Sequence, residues 1–181
     1  MESTNQNKKC VIDIETTSLN PWEGRIICVG IKDVESNETL VFQDDHEYAM
    51  LMRFFEYFKR RKFDEIIGFN IDFDLRFLTA KALKYKIPSA NGFFTATATD
   101  VMAILNRYKR LNSTFRWGTL DEWSRFLLGK GKIFNGASVP ELFRQRRIEE
   151  IVKYNENDVQ ITFELWQCIR AIMGADSHGY N

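Results

Sequence analysis

Three short segments carry residue types at spacings that could do chemistry. The first, Cys10-Val11-Ile12-Asp13-Ile14-Glu15-Thr16-Thr17, sets two carboxylates two residues apart in a β-branched run. A strand turns successive side chains to opposite faces, so Asp13 and Glu15 share one face while Ile12 and Ile14 share the other. Adjacent carboxylates raise each other's proton affinity, and a hard divalent cation between them relieves the repulsion. The second segment, Gly68-Phe69-Asn70-Ile71-Asp72-Phe73-Asp74-Leu75-Arg76-Phe77-Leu78, reads as a strand, a polar turn and a helix whose first turn holds acids. The third, Tyr154-Asn155-Glu156-Asn157-Asp158, places a hydroxyl and a carboxylate four residues apart, on one helical face. Each segment alone also has a plain reading: a half-buried strand with a solvated face, a helix capped by Asp72 or Asp74, and a structural tyrosine near a surface aspartate.

These residues need a scaffold, and the hydrophobic pattern supplies one. Strands are predicted over 9–15, 25–32 and 38–42, with Asn20-Pro21 and Gly24 in the first turn and Ser36-Asn37 in the second, so the three form an antiparallel meander. Met50, Leu51, Phe54, Phe55 and Phe58 form a helical stripe that ends in the basic run 59–62. A short strand over 65–69 precedes a helix that Asp72 or Asp74 opens and that runs through Lys84, stopped by Ile87-Pro88-Ser89. Further helices are expected over 100–109, 120–128, 138–145 and 148–173, with Thr119 and Ser138 as candidate caps. Strands first, then strand–helix alternation, predict an α/β fold: a mixed sheet with helices on its faces. The expected organisation is a single domain over 9–173 between a disordered N-terminal tail (1–8) and a C-terminal tail (174–181).

Composition narrows the function classes. Hydrophobic residues make up 44% and charged residues 28% of 181, a globular balance. Lys+Arg and Asp+Glu both number 25, so net charge points to no partner. The polar N-terminus is not a signal peptide and no apolar run reaches membrane-spanning length, so an intracellular protein is expected, cytoplasmic or nucleoid-associated, with no membrane partner. Cys10, Cys28 and Cys168 read as small core residues rather than disulfide partners or zinc ligands. His46 and His178 are the only histidines, and neither has a soft ligand nearby.

In order and character the three acidic segments resemble the DEDD-type (DnaQ-like) 3′–5′ exonuclease superfamily in its tyrosine branch, which includes the proofreading domains of family B DNA polymerases. Asp13 and Glu15 match the first motif. Asn70, Phe73, Asp74, Phe77 and Leu78 match the second, making Asp74 rather than Asp72 the third acid. Tyr154 and Asp158 match the third. Thr99-Asp100-Val101-Met102 and the segment 120–129 are also similar, so the likeness runs from Cys10 to Cys168. Lys153 stands where the histidine branch places its base, and Ser18 replaces a glycine common after the paired threonines.

The resemblance implies a ribonuclease H-like fold, with three antiparallel strands and then parallel ones. It implies hydrolysis of nucleic-acid phosphodiesters from a 3′ end by two Mg²⁺ or Mn²⁺ ions about 4 Å apart. Asp13 is implied to bridge both ions, Glu15 and Asp158 to support the one that activates water, and Asp74 to help the other. Tyr154, a poor base at neutral pH, is implied to orient the attacking water. Thr16 and Leu19 match the segment that holds the terminal nucleotide, with Leu19 wedged between the last two bases, and Asn70 could hydrogen-bond substrate or simply fix the turn. Beside it, Arg107, Lys109, Arg110, Arg116, Arg125, Lys130 and Lys132, interleaved with Tyr108, Phe115 and Trp117, could track phosphates and stack on bases, or form a solvated helix face over core aromatics. The expected substrate is a single-stranded or frayed 3′ end, DNA before RNA. A polymerase or repair partner is left open. The alternatives are an RNA-trimming exoribonuclease and a non-catalytic nucleic-acid or protein-interaction module on the same fold.

Overall fold

The computed structural model of the chain describes residues 7–106, 118–132 and 139–173. Outside them lie the C-terminal tail, most of the N-terminal tail, Ser138, and Arg107, Tyr108, Lys109, Arg110, Phe115, Arg116 and Trp117 of the basic stretch. Among the described residues, β1 (Lys9–Thr16), β2 (Ile26–Asp33), β3 (Thr39–Gln43), β4 (Glu65–Gly68) and β5 (Thr97–Asp100) build one sheet in the order β3-β2-β1-β4-β5. The β1/β2 and β2/β3 pairs are antiparallel, and β4 runs parallel to both β1 and β5. The expected mixed α/β architecture is therefore the one observed. Among the described residues no helix is long and apolar enough to cross a membrane.

Two cores cover the two faces. On one, Cys10, Ile12 and Ile14 meet α1 (Glu47–Arg61), α2 (Ile71–Tyr85) and α3 (Asn91–Thr95). Phe54, Phe55, Phe58 and Phe93 meet edge-on or tilted there, and each buried ring contributes about 1.5–3 kcal/mol. On the other, Val11 and Ile67 pack against α4 (Val101–Leu105), α5 (Leu120–Leu128) and the long α7 (Ile148–Met173), with α6 (Val139–Arg144) adding Val139 and Leu142. Cys10 and Cys28 are buried, and all three cysteines are free.

Several elements depart from the sequence expectation, among them the short α3, which no periodicity announces. Thr97–Asp100 forms an edge strand with its side chains largely in solvent, so no alternation of apolar residues announces it. The helix expected over 100–109 is described only over Val101–Leu105, with Asp100 outside it as the cap, accepting from the Met102 and Ala103 amides. Thr119, a candidate cap in the sequence, does cap α5, and does so in a capping box: its hydroxyl and the Glu122 carboxylate each bond the other's backbone amide.

Candidate active site

Asp13 and Glu15 lie at the C-terminal end of β1, beside the end of its parallel neighbour β4, where open α/β sheets gather ligand groups. A register shift between Glu15 and Thr16 marks a bulge at that point. Both acids face α7. Opposite Asp13 in the register is Gly30, and the missing side chain lets α7 approach the sheet. A Cβ there would fall 2.7 Å from Val159 Cγ2 and still closer to Asn155 Oδ1. The close approach has a consequence: the fully buried Asn155 donates its amide to the Asp13 carbonyl at 3.0 Å and to Asp13 Oδ2 at 2.7 Å. An isolated glycine in the β-branched strand RIICVGIK is the sequence signal that could have pointed to this contact.

One turn further along α7, Asp158 completes the cluster. A carboxylate oxygen from each of Asp13, Glu15 and Asp158 lies within 4.8 Å of the other two. The Tyr154 hydroxyl faces the Asp158 carboxylate closely enough for each to shift the other's proton affinity, and its ring is buried against Ile27, Cys28, Val139 and Leu142. Lys132, read in the sequence as part of a phosphate track, instead reaches the cluster. Its ammonium pairs with Asp158 Oδ2 and lies 4.7 Å from the centre of the Tyr154 ring. The loop bearing it leaves α5 through left-handed Gly129, and is tied down by Lys130 to Glu164 and by the Lys132 amide to Asp121.

Asp74 is adjacent but outside that group of three. It is 4% exposed, and Oδ1 accepts from the Ile14 amide at 2.9 Å, so it joins α2 to the C-terminal end of β1 instead of capping its own helix. Asp72 faces solvent. Asn70 occupies the cap position in a left-handed conformation, makes no side-chain cap bond, and leaves its side chain exposed. Its amide donates to Asp100 Oδ1 at 3.0 Å, so Asp100 ties the turn before α2 to the end of β5. Thr16 and Leu19 line a cavity of about 440 Å³ together with Glu15, Phe73, Val139 and Pro140. The Thr16 hydroxyl is turned to the Ser18 carbonyl at 2.7 Å.

The electrostatics fit a cation. Burial, and then Asp158, push the Asp13 carboxyl up to about 8, against the opposing pull of Lys132 and Asn155. Burial and the neighbouring acids raise Glu15 and Asp74 well above the carboxylate range, and burial raises Asp158. Among the described residues Asp158 Oδ1 is buried with no hydrogen-bond partner, one orphaned oxygen in an all-oxygen set suited to Mg²⁺ or Mn²⁺. Groups whose folded pKa is raised bind their protons more tightly in the folded state. Their stabilisation is full at acid pH and is lost as pH rises through the folded values. The melting temperature of the metal-free protein is therefore expected to fall by on the order of 5 °C between about pH 5 and pH 8.5, with Mg²⁺ restoring most at the alkaline end. Thermal scans across that range check this; a flat profile overturns the electrostatic picture.

Comparison with known proteins agrees with the fold. Residues 10–170 match the RNase H superfamily. An uncharacterized protein from Methanocaldococcus jannaschii is 33% identical over 172 residues, covering 89% of this chain and 94% of the relative. The fold is also similar to the family B DNA polymerase from the hyperthermophilic archaeon Pyrobaculum calidifontis, with a TM-score of 0.74 at 16% identity. That likeness covers 90% of this chain but only 24% of the polymerase chain, and at such identity it speaks to the fold alone.

Proposed function

The chain belongs to the RNase H superfamily, and from that premise we propose that it is a divalent-metal-dependent 3′–5′ exonuclease of the tyrosine branch of DEDD-type enzymes. The observation that carries this reading is the convergence of Asp13, Glu15 and Asp158 oxygens within 4.8 Å, with the Tyr154 hydroxyl beside Asp158. Asp13, Glu15 and Asp158 would hold the ions, with Asp74 beside them. Bound there, Mg²⁺ or Mn²⁺ supplies the charge that polarises a phosphodiester and makes water a better nucleophile at neutral pH.

The protein's own groups do the positioning. The Asn155 amide fixes which way Asp13 presents its carboxylate. Burial and three nearby carboxylates hold the Tyr154 phenol far above its usual pKa, so it stays protonated. It therefore orients water and Asp158 without taking a proton. Lys132 brings a positive charge whose field reaches Asp13, Glu15 and Asp158, partly offsetting their repulsion. The cavity beside Glu15, with Leu19 and Phe73 on its walls, suits a terminal nucleotide. Likeness to part of a DNA polymerase chain favours DNA over RNA as the first substrate to try.

A time course with 5′-labelled single-stranded and duplex DNA and RNA tests the reading. The expected result is a ladder shortening from the 3′ end with Mg²⁺ or Mn²⁺ and no cleavage with chelator. Intact oligonucleotides under every condition would overturn it in favour of a non-catalytic module. Tyr154→Phe is expected to slow cleavage by about 10- to 100-fold with the fold unchanged, because the ring stays packed while the hydroxyl is lost. A wild-type rate in that variant would remove the water-orienting role.

A further inference from the structure

The loop between β1 and β2, whose Leu19 lines the cavity at Glu15, sets two large apolar side chains in water: Leu19 is 76% and Trp22 78% exposed. Exposure of this kind is unremarked on a loose loop, but this loop is tied at many points. Its ends are closed by the Thr17 amide to the Arg25 carbonyl and the Arg25 amide to Thr17 Oγ1, both at 3.0 Å. Its tip is a turn in which the Asn20 carbonyl accepts from the Glu23 and Gly24 amides at 3.2 and 2.8 Å. Pro21 presets the first central position, leaving Trp22 at the second. The Asn20 side chain donates to Glu23 at 3.0 Å.

Two further anchors come from the body of the protein. The Gly24 carbonyl accepts from Lys81, a lysine only 2% exposed that faces Glu47 Oε1 at 3.7 Å. Glu47 Oε1 also accepts from the Ile26 amide at 2.6 Å. Arg25 is committed to the Asp44 and Asp45 carbonyls at 3.3 and 3.0 Å and to the face of Phe143. A backbone so fixed holds the indole in water with little conformational freedom left to lose on binding.

We propose that Trp22 is a nucleobase-stacking residue, receiving an unpaired base of the strand whose end lies in the cavity shared by Leu19 and Glu15. The inference rests on the nuclease reading above and adds the part of the substrate that the loop grips. The charge at the tip favours a base over a phosphate. Next to Trp22 in the chain is the acid Glu23, which disfavours phosphate, and the loop's arginine is already turned to carbonyls. The flat indole accepts any base without reading sequence. Leu19, three residues earlier on the same pinned loop, lines the cavity at Glu15, so Trp22 stands within one short loop of that cavity.

The test measures binding of labelled single-stranded oligo-dT, and of an abasic oligomer of equal length, to the full chain in an Asp13→Asn background with Mg²⁺. Trp22→Ala is expected to weaken oligo-dT binding about tenfold while leaving the abasic oligomer unaffected, and Trp22→Phe to restore most of the loss. In the otherwise unaltered protein the same change should raise KM for cleavage and leave kcat within about twofold, since the indole sits off the reacting bond. Trp22 is exposed, so its loss does not threaten the fold. Oligo-dT binding unchanged in Trp22→Ala would overturn the stacking and leave the nuclease reading intact. Failure of the Asp13→Asn protein and of the wild type to bind either oligomer would overturn both.

Discussion

Asp13→Asn is expected to abolish metal-dependent hydrolysis, a loss of more than about a thousandfold, while raising the melting temperature of the metal-free protein. The two effects have one cause. Asp13 is the acid whose field is felt by Glu15 and Asp74, and Asp158 raises it in turn. With its carboxyl held at about 8, Asp13 must take up a proton or carry a buried charge when the metal-free chain folds near neutral pH, and an amide of the same shape removes that cost and so relieves the folded state. The same replacement removes an oxygen ligand with its charge, which no neighbour can supply from the same position. A purely structural aspartate would lose stability on substitution, so the opposite sign of the two changes marks a site built for a cation. Cleavage rates and thermal melts on one preparation are sufficient. A rate within tenfold of wild type, or a lowered metal-free melting temperature, would reject the assignment. Asp158→Asn should behave similarly in cleavage, since it too removes one of the three converging carboxylates.

Much of this arrangement is legible in the chain because it follows from short-range periodicity. Alternation in β1 puts Asp13 and Glu15 on one face, and the four-residue spacing of Tyr154 and Asp158 puts both on one side of α7. The choice of Asp74 over Asp72 came from resemblance, and the structure has Asp74 buried and Asp72 exposed. What periodicity cannot carry is a contact whose partner is far away in sequence. Asn155 lies 142 residues from Asp13, and its value depends on a glycine in another strand. Lys132 looked like one more cation in a basic stretch, because nothing local reveals that its loop is pinned back onto α7. Edge strand β5 was silent for a different reason: with neither face well buried, Thr97–Asp100 has no pattern to display. The buried Lys81–Glu47 pair was likewise hidden, because each residue alone reads as an ordinary charge on a helix surface.

Gly30→Ala is expected to destabilise the protein by about 3 kcal/mol, lowering its melting temperature by roughly 6–12 °C. It should also cut activity by more than about tenfold at temperatures where the variant is still folded. Every residue of β2 is buried, and the strand is held between β1 and β3, so it cannot move aside to admit a methyl group. The relief must come from α7, whose Asn155 and Val159 meet the new Cβ. Any shift of α7 away from the sheet lengthens the Asn155 bonds to Asp13 and carries Tyr154 and Asp158 off their mark. Stability and catalysis therefore fall together here, in contrast to Asp13→Asn. Gly92→Ala is the control, because a Cβ at Gly92 meets nothing within 4 Å and should change stability by no more than about 0.5 kcal/mol. Thermal unfolding with single-turnover cleavage at 25 °C separates the outcomes. Wild-type stability and rate in Gly30→Ala would mean that α7 does not depend on this close approach, and the positioning role of Asn155 would go with it.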